Sequence, residues 1–97
     1  MTRNELAGVI GSRAGVSDKE AKKAVLAVFE TIGDALCEGS RVELRGFGTL
    51  RPRYYSGYTG RDPRTGDSVE IPAKVMPVFR PSRVLVQRLN ASDEEMQ

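Results

Sequence analysis

The sequence predicts an α+β fold with its helices and strands segregated along the chain, and three observations carry that prediction. Up to about residue 40, apolar side chains recur at helical spacing behind two capping patterns. From Arg41 the spacing changes to alternation broken by Gly and Pro. Residues 56–68, SGYTGRDPRTGDS, contain no large aliphatic side chain and read as a polar hairpin. Helices grouped first and strands grouped after them define α+β rather than α/β architecture.

The first element opens on Thr2-Arg3-Asn4-Glu5, a capping box in which the hydroxyl and the carboxylate satisfy orphan N–H groups at a helix start. Leu6, Val9 and Ile10 follow on one face, and Gly15 ends the segment. Ser17-Asp18-Lys19-Glu20 is a second capping box. It opens a longer helix with Ala21, Val25, Val28, Phe29, Ile32 and Leu36 on one face and Gly39 as its stop. Cys37, near that end, reads as a small buried apolar residue. Ala14-Gly15-Val16-Ser17 would suit a helix-turn-helix DNA reader. The regular apolar face of the second helix, however, implies packing rather than insertion into a groove.

The strands follow. Val42 and Leu44 alternate with Glu43 and Arg45 before Gly46-Phe47-Gly48, a tight turn carrying one large apolar group. An extended run covers Thr49 to Tyr55, and Pro52 within it argues for an edge or an irregularity. Asp62-Pro63-Arg64-Thr65-Gly66 suits a hairpin tip. A further strand runs from Val69 to Phe79, interrupted by Pro72 and Pro77. Ser82 is an N-cap for a short last helix with Val84, Leu85 and Leu89 turned inward. The expected organisation is one domain over residues 1–90: a helical body (1–40), a sheet and arm (41–80) and a C-terminal helix (82–90). An acidic disordered tail (91–97) completes the chain.

The 97 residues carry a net charge of +2, which conceals an uneven distribution. Residues 41–90 hold ten basic groups against four acidic ones, nearly all of the basic ones arginine. Arginine's planar fork suits phosphates and base edges, and charge strung along the chain favours a polyanion over a small acidic substrate. With one Cys and no His, neither a disulfide framework nor a metal cluster is expected, and no cofactor. A chain of this size without such staples points to oligomerisation. No signal-like or membrane-spanning apolar run is present, which makes a soluble cytoplasmic protein the expectation.

An isolated two-stranded ribbon is marginally stable in water. One holding Arg51, Arg53, Tyr54, Tyr55, Tyr58, Arg61, Arg64 and Lys74 is better explained as a ligand-binding arm, its arginines meeting phosphates and its tyrosines packing on sugars or on one another. Without a His, a paired-carboxylate site or a phosphate loop, no enzymatic chemistry is expected.

Three blocks in register, Gly46-Phe47-Gly48-Thr49, Gly60-Arg61-Asp62-Pro63-Arg64-Thr65-Gly66 and Phe79-Arg80-Pro81-Ser82, resemble the signature of the bacterial HU and integration host factor (IHF) family. The resemblance spans residue 1 to about residue 90, and Glu43-Leu44-Arg45 looks somewhat closer to the IHF beta subunit.

The resemblance implies an intertwined dimer, homomeric or with a paralogous subunit. Each chain would contribute two N-terminal helices, a three-stranded antiparallel sheet extended into a long β-ribbon arm, and a short C-terminal helix. It implies an architectural, nucleoid-associated protein that bends double-stranded DNA, its arms in the minor groove and a proline wedged between base pairs. Pro63 matches that intercalating proline. The DNA-binding set is then Arg3, Arg45, Arg51, Arg53, Tyr55, Tyr58, Arg61, Pro63, Arg64, Lys74, Arg80 and Arg83, and the dimer core Phe29, Phe47, Leu50 and Phe79. The chain departs from the pattern at Tyr55 and Tyr58, where arginine is common, and at Asp62, where asparagine is common. Val86 and Asn90 stand where lysine is frequent. Fewer cations imply a shallower salt dependence. They also motivate an alternative, a structural or interaction subunit of the same fold that acts through a partner chain.

Overall fold

A computed structural model describes residues Met1–Met96 and shows three α-helices and five β-strands. The chain divides into two compact units, Met1–Ala35 and the remainder from Leu36.

The first unit is a helical hairpin. Helix α1 (Arg3–Ala14) is capped by Thr2, whose hydroxyl accepts the Glu5 N–H at 3.1 Å, and it ends on Gly15 in the left-handed conformation with φ 69°. Gly15 donates its backbone N–H to the Gly11 carbonyl, closing the helix without the steric penalty a Cβ would bring. Helix α2 (Asp18–Cys37) starts beneath Ser17, whose hydroxyl accepts the Glu20 N–H at 3.1 Å. Both capping boxes thus supply the hydroxyl half of the expected pattern. The core of this unit is Ala7, Ala21 and Val25, with Leu6 and Ile10 packed against it. Small residues set the spacing: a Cβ added to Gly11 would lie 3.3 Å from the Ala21 Cβ, so the helices approach closely there.

In the second unit, strand β1 (Val42–Leu44), β2 (Gly48–Tyr55) and β5 (Lys74–Pro81) form an antiparallel sheet in the order β1-β2-β5. The hairpin between β1 and β2 turns at Gly46, with φ 81°, and closes through the Phe47 N–H to the Leu44 carbonyl. Gly48 is buried against the Phe79 ring and the Arg80 carbonyl, the reason no larger residue fits. Pro52 faces Pro77 across β2 and β5. Opposed residues in an antiparallel ladder alternate between those that exchange N–H···O bonds and those that do not, and two prolines suit only the second kind.

The arm is not one continuous ribbon. Strands β3 (Tyr58–Arg61) and β4 (Ser68–Ile71) form a separate two-stranded sheet. Ser56-Gly57 on one side and Pro72-Ala73 on the other interrupt the ladder, so the single strand expected from Val69 to Phe79 is two. A Cβ at Gly57 would stand 2.9 Å from the Ile71 carbonyl oxygen, which marks a close backbone approach, and Pro72 has no N–H to offer.

Helix α3 (Arg83–Met96) begins where expected, its Ser82 hydroxyl accepting the Leu85 N–H at 3.1 Å. It continues beyond position 90 into the segment expected to be disordered. Gln97, the last residue of that segment, lies outside the described residues. One further expectation is corrected. Cys37 is exposed, because it ends α2 rather than facing its core. Among α2's apolar positions, Val28 and Phe29 are exposed while Ala21 and Val25 are buried.

Candidate nucleic-acid interface

The register of β2 and β5 sorts the arm's side chains onto two faces. Directly opposed residues share a face and successive residues alternate. One face carries Thr49 with Arg80, Arg51 with Val78, Arg53 with Met76, and Tyr55 with Lys74. The other carries Leu50 with Phe79, Pro52 with Pro77, and Tyr54 with Val75. Four cations of the expected DNA-binding set, Arg51, Arg53, Lys74 and Arg80, therefore line one side of a ribbon whose reverse is apolar. All four are exposed. The Arg53 guanidinium lies over the Tyr55 ring, 5.3 Å from its centroid, which holds the cation against the ribbon by a cation–π contact.

Glu43 joins this face at its base, opposite Thr49. Its carboxylate pairs with Arg41 at 2.6 Å. Arg45, in the turn after β1, is exposed and lines a shallow recess together with Glu43, Thr49 and Arg80. At the break in the arm, Tyr55, Tyr58, Lys74 and Met76 line one open recess, which places both tyrosines of the expected set at the elbow.

Beyond the elbow, Tyr58 faces Ile71 and Gly60 faces Val69, while Thr59 faces Glu70 and Arg61 faces Ser68. Three of the hydrogen bonds that close the tip are anchored on Asp62. Its N–H donates to the Asp67 carbonyl at 2.9 Å, its carbonyl accepts from the Gly66 N–H at 2.7 Å, and its Oδ1 accepts from the Arg64 N–H at 2.9 Å. The last is an Asx turn, and Gly66 at φ 76° supplies the left-handed residue the reversal requires. Pro63 and Arg64 are held at the apex, both exposed.

Arg3 opens α1 in the first unit, where it lines a cleft with Lys22 and Leu26. Arg83 is the first residue of α3 and is exposed. The four residues expected in a dimer core are incompletely covered. Phe29, Phe47 and Phe79 are 48%, 49% and 42% exposed, and Leu50 is half-buried. Within the second unit Phe47 and Phe79 pack on each other, with ring centroids 5.4 Å apart.

Sequence reasoning missed the elbow and, with it, Met76, which sits opposite Arg53 on the cationic face. The dipeptides Ser56-Gly57 and Pro72-Ala73 were the only signal, since their mutual opposition is what makes a break. It also missed the anchoring role of Asp62. An Asx residue before a proline carries that signal locally.

An antiparallel ribbon with cations on one face, a proline held at its tip, and helices that leave large apolar residues uncovered defines a class of arm-bearing DNA-binding proteins. The model of the family described as bacterial DNA-binding protein matches residues 1–90. DNA-binding protein HU-1 of Halalkalibacterium halodurans is 43% identical over 90 residues, covering 93% of this chain and all of that one. Integration host factor subunit beta of Marinobacter nauticus is 39% identical over 93 residues, 95% of each chain. Among solved structures, the Anabaena HU–DNA cocrystal structure superposes with a TM-score of 0.84 at 32% identity, over 92% of this chain and 97% of that one. The chain belongs to the bacterial HU and integration host factor family. It stands at comparable identity to HU-1 and to an IHF beta subunit.

Proposed function

We propose that this chain acts as a dimer that binds double-stranded DNA and bends it, an architectural protein of the bacterial nucleoid rather than an enzyme. The observation that carries this reading is the sorting of Arg51, Arg53, Lys74 and Arg80 onto one face of a ribbon that ends in an exposed, hydrogen-bond-anchored Pro63. The cations neutralise phosphates along the groove edges. The proline ring, with no N–H to leave unsatisfied, replaces a stacking partner in an opened base step. Arg61 and Arg64 flank the wedge, Tyr55 and Tyr58 pack against the sugar edge at the elbow, and Arg3, Arg45 and Arg83 extend the contact to the body. The Anabaena HU neighbour was crystallised with DNA, which supports DNA as the ligand.

Dimerisation is supported by the exposure of Phe29, Phe47 and Phe79. An apolar aromatic left half in water is a surface awaiting a partner. The partner is a second copy or a paralogous subunit. No described helix is long and apolar enough to cross a membrane.

The test is ring closure, or end-to-end FRET, on short duplexes with wild type and Pro63→Ala. The substitution is expected to reduce bending more than binding. Unchanged bending overturns the wedge.

A further inference from the structure

Asp62 combines two features that bear on which DNA the tip accepts. Its backbone and Oδ1 are committed to the turn, so the carboxylate has a fixed attitude beside Pro63. Its second oxygen, Oδ2, accepts no hydrogen bond and meets no cation at ion-pair distance among the described residues. An oxygen held next to a wedge, with its partner position open, enters the groove wherever the wedge does.

The chemistry of the minor groove then discriminates. An A·T pair shows only acceptors there, adenine N3 and thymine O2, whereas a G·C pair adds the guanine 2-amino donor. A carboxylate is acceptor-only, whereas an amide whose oxygen is committed to the turn would present an N–H donor that suits A·T. Against A·T the open oxygen meets like-signed lone pairs and leaves water without replacement; against G·C it gains a hydrogen bond.

Tip charge acts in the same direction. Arg61 and Arg64 are offset by Asp62 and Asp67, so residues 61–67 carry no net charge. Narrow A·T-rich grooves attract arginine through their enhanced negative potential, and a neutral tip gains little from it.

We infer that Asp62 is a specificity-determining residue that makes the arm tip prefer a G·C pair at the step Pro63 enters, the guanine 2-amino group donating to Oδ2. This rests on the arm-in-groove reading above.

The test uses full-length protein and end-labelled duplexes carrying two kinkable pyrimidine–purine steps, each flanked by one of four pairs: G·C, inosine·C, A·T or 2,6-diaminopurine·T. Inosine lacks the 2-amino group, and diaminopurine adds it to an A·T-like pair. Inosine·C is also the weaker pair and opens more readily, so a preference for G·C over it cannot come from ease of kinking. Competition binding and FRET bending are expected to favour G·C and diaminopurine·T over inosine·C and A·T by about tenfold or more, the scale of one added hydrogen bond to a charged acceptor. Asp62→Asn keeps an Oδ1 for the turn and presents an Nδ2–H donor in place of the open oxygen, so it is expected to bend all four duplexes with the preference for the 2-amino group lost or reversed. Equal affinity of wild type for G·C and inosine·C, with bending intact, overturns the inference and leaves the proposed function standing. So does a preference that survives in Asp62→Asn. Failure of wild type to bend any of the four overturns both.

Discussion

Phe47 and Phe79 meet with ring centroids 5.4 Å apart and planes inclined at 47°, and Gly48 lies where any side chain would run into the Phe79 ring. The aromatic contact joins the β1–β2 turn to β5. A tilted pair of this kind contributes about 0.5–1.5 kcal/mol beyond its buried area.

Gly48→Ala is the sharpest test of that junction. The new methyl carbon would stand 2.5 Å from Phe79 Cε1 and 2.6 Å from the Arg80 carbonyl oxygen, and backbone cannot swing aside as a side chain can. A loss of about 2–3 kcal/mol is expected in urea denaturation, the upper range for overpacking a close contact.

Phe79→Ala separates self-association from folding of the single chain. Because the ring is 42% exposed in one chain, much of its contribution is expected to come from the partner. The wild-type melting temperature should rise with protein concentration, as stability coupled to association requires. The variant should shift toward monomer in sedimentation equilibrium and melt at lower temperature.

Charge removal on the ribbon should be read through salt. Arg51→Gln and Arg53→Gln are each expected to weaken binding and flatten the plot of log affinity against log salt by about 0.9 for every phosphate no longer neutralised. Lys19→Gln and Lys23→Gln on α2 are expected to leave the slope unchanged. A steep effect there would favour a recognition helix instead.

Gly57→Ala addresses the elbow. Its Cβ would approach the Ile71 carbonyl oxygen at 2.9 Å and the Ala73 nitrogen at 3.0 Å. The substitution should distort the arm locally, reducing bending by FRET while leaving the thermal transition of the helices within about 0.5 kcal/mol, as for a change outside the cooperative core.

Ser82→Ala removes the hydroxyl that caps α3 and is expected to cost about 1 kcal/mol in chemical denaturation.

The caps at Thr2, Ser17 and Ser82 were legible because each is a local pattern, a hydroxyl ahead of a helical run, and all three hydroxyls accept the expected N–H. The hairpin tip at 62–66 was legible for the same reason. The elbow was not, because neither Ser56-Gly57 nor Pro72-Ala73 is distinctive until the register opposes them. The two faces of the arm also depend on that register. Reading Tyr54 and Tyr55 as neighbours in one aromatic cluster conceals that they point to opposite sides. Burial was least legible of all. Val28 and Phe29 follow the helical pattern of a core face yet remain exposed in one chain, since periodicity records that a face is apolar and not which molecule covers it.

The facing prolines of the ribbon, Pro52 and Pro77, bear on a hazard as well as on shape. Any long hairpin presents two unsatisfied edges, each a template on which another extended chain could add and a fibre could begin. At a non-bonded pair the amide groups point outward, toward those edges. Proline at both members removes the donor from both sides at one level, so an incoming strand finds a gap in its ladder whichever edge it approaches. An arm that must stay extended to reach its ligand is thereby kept from recruiting its own kind.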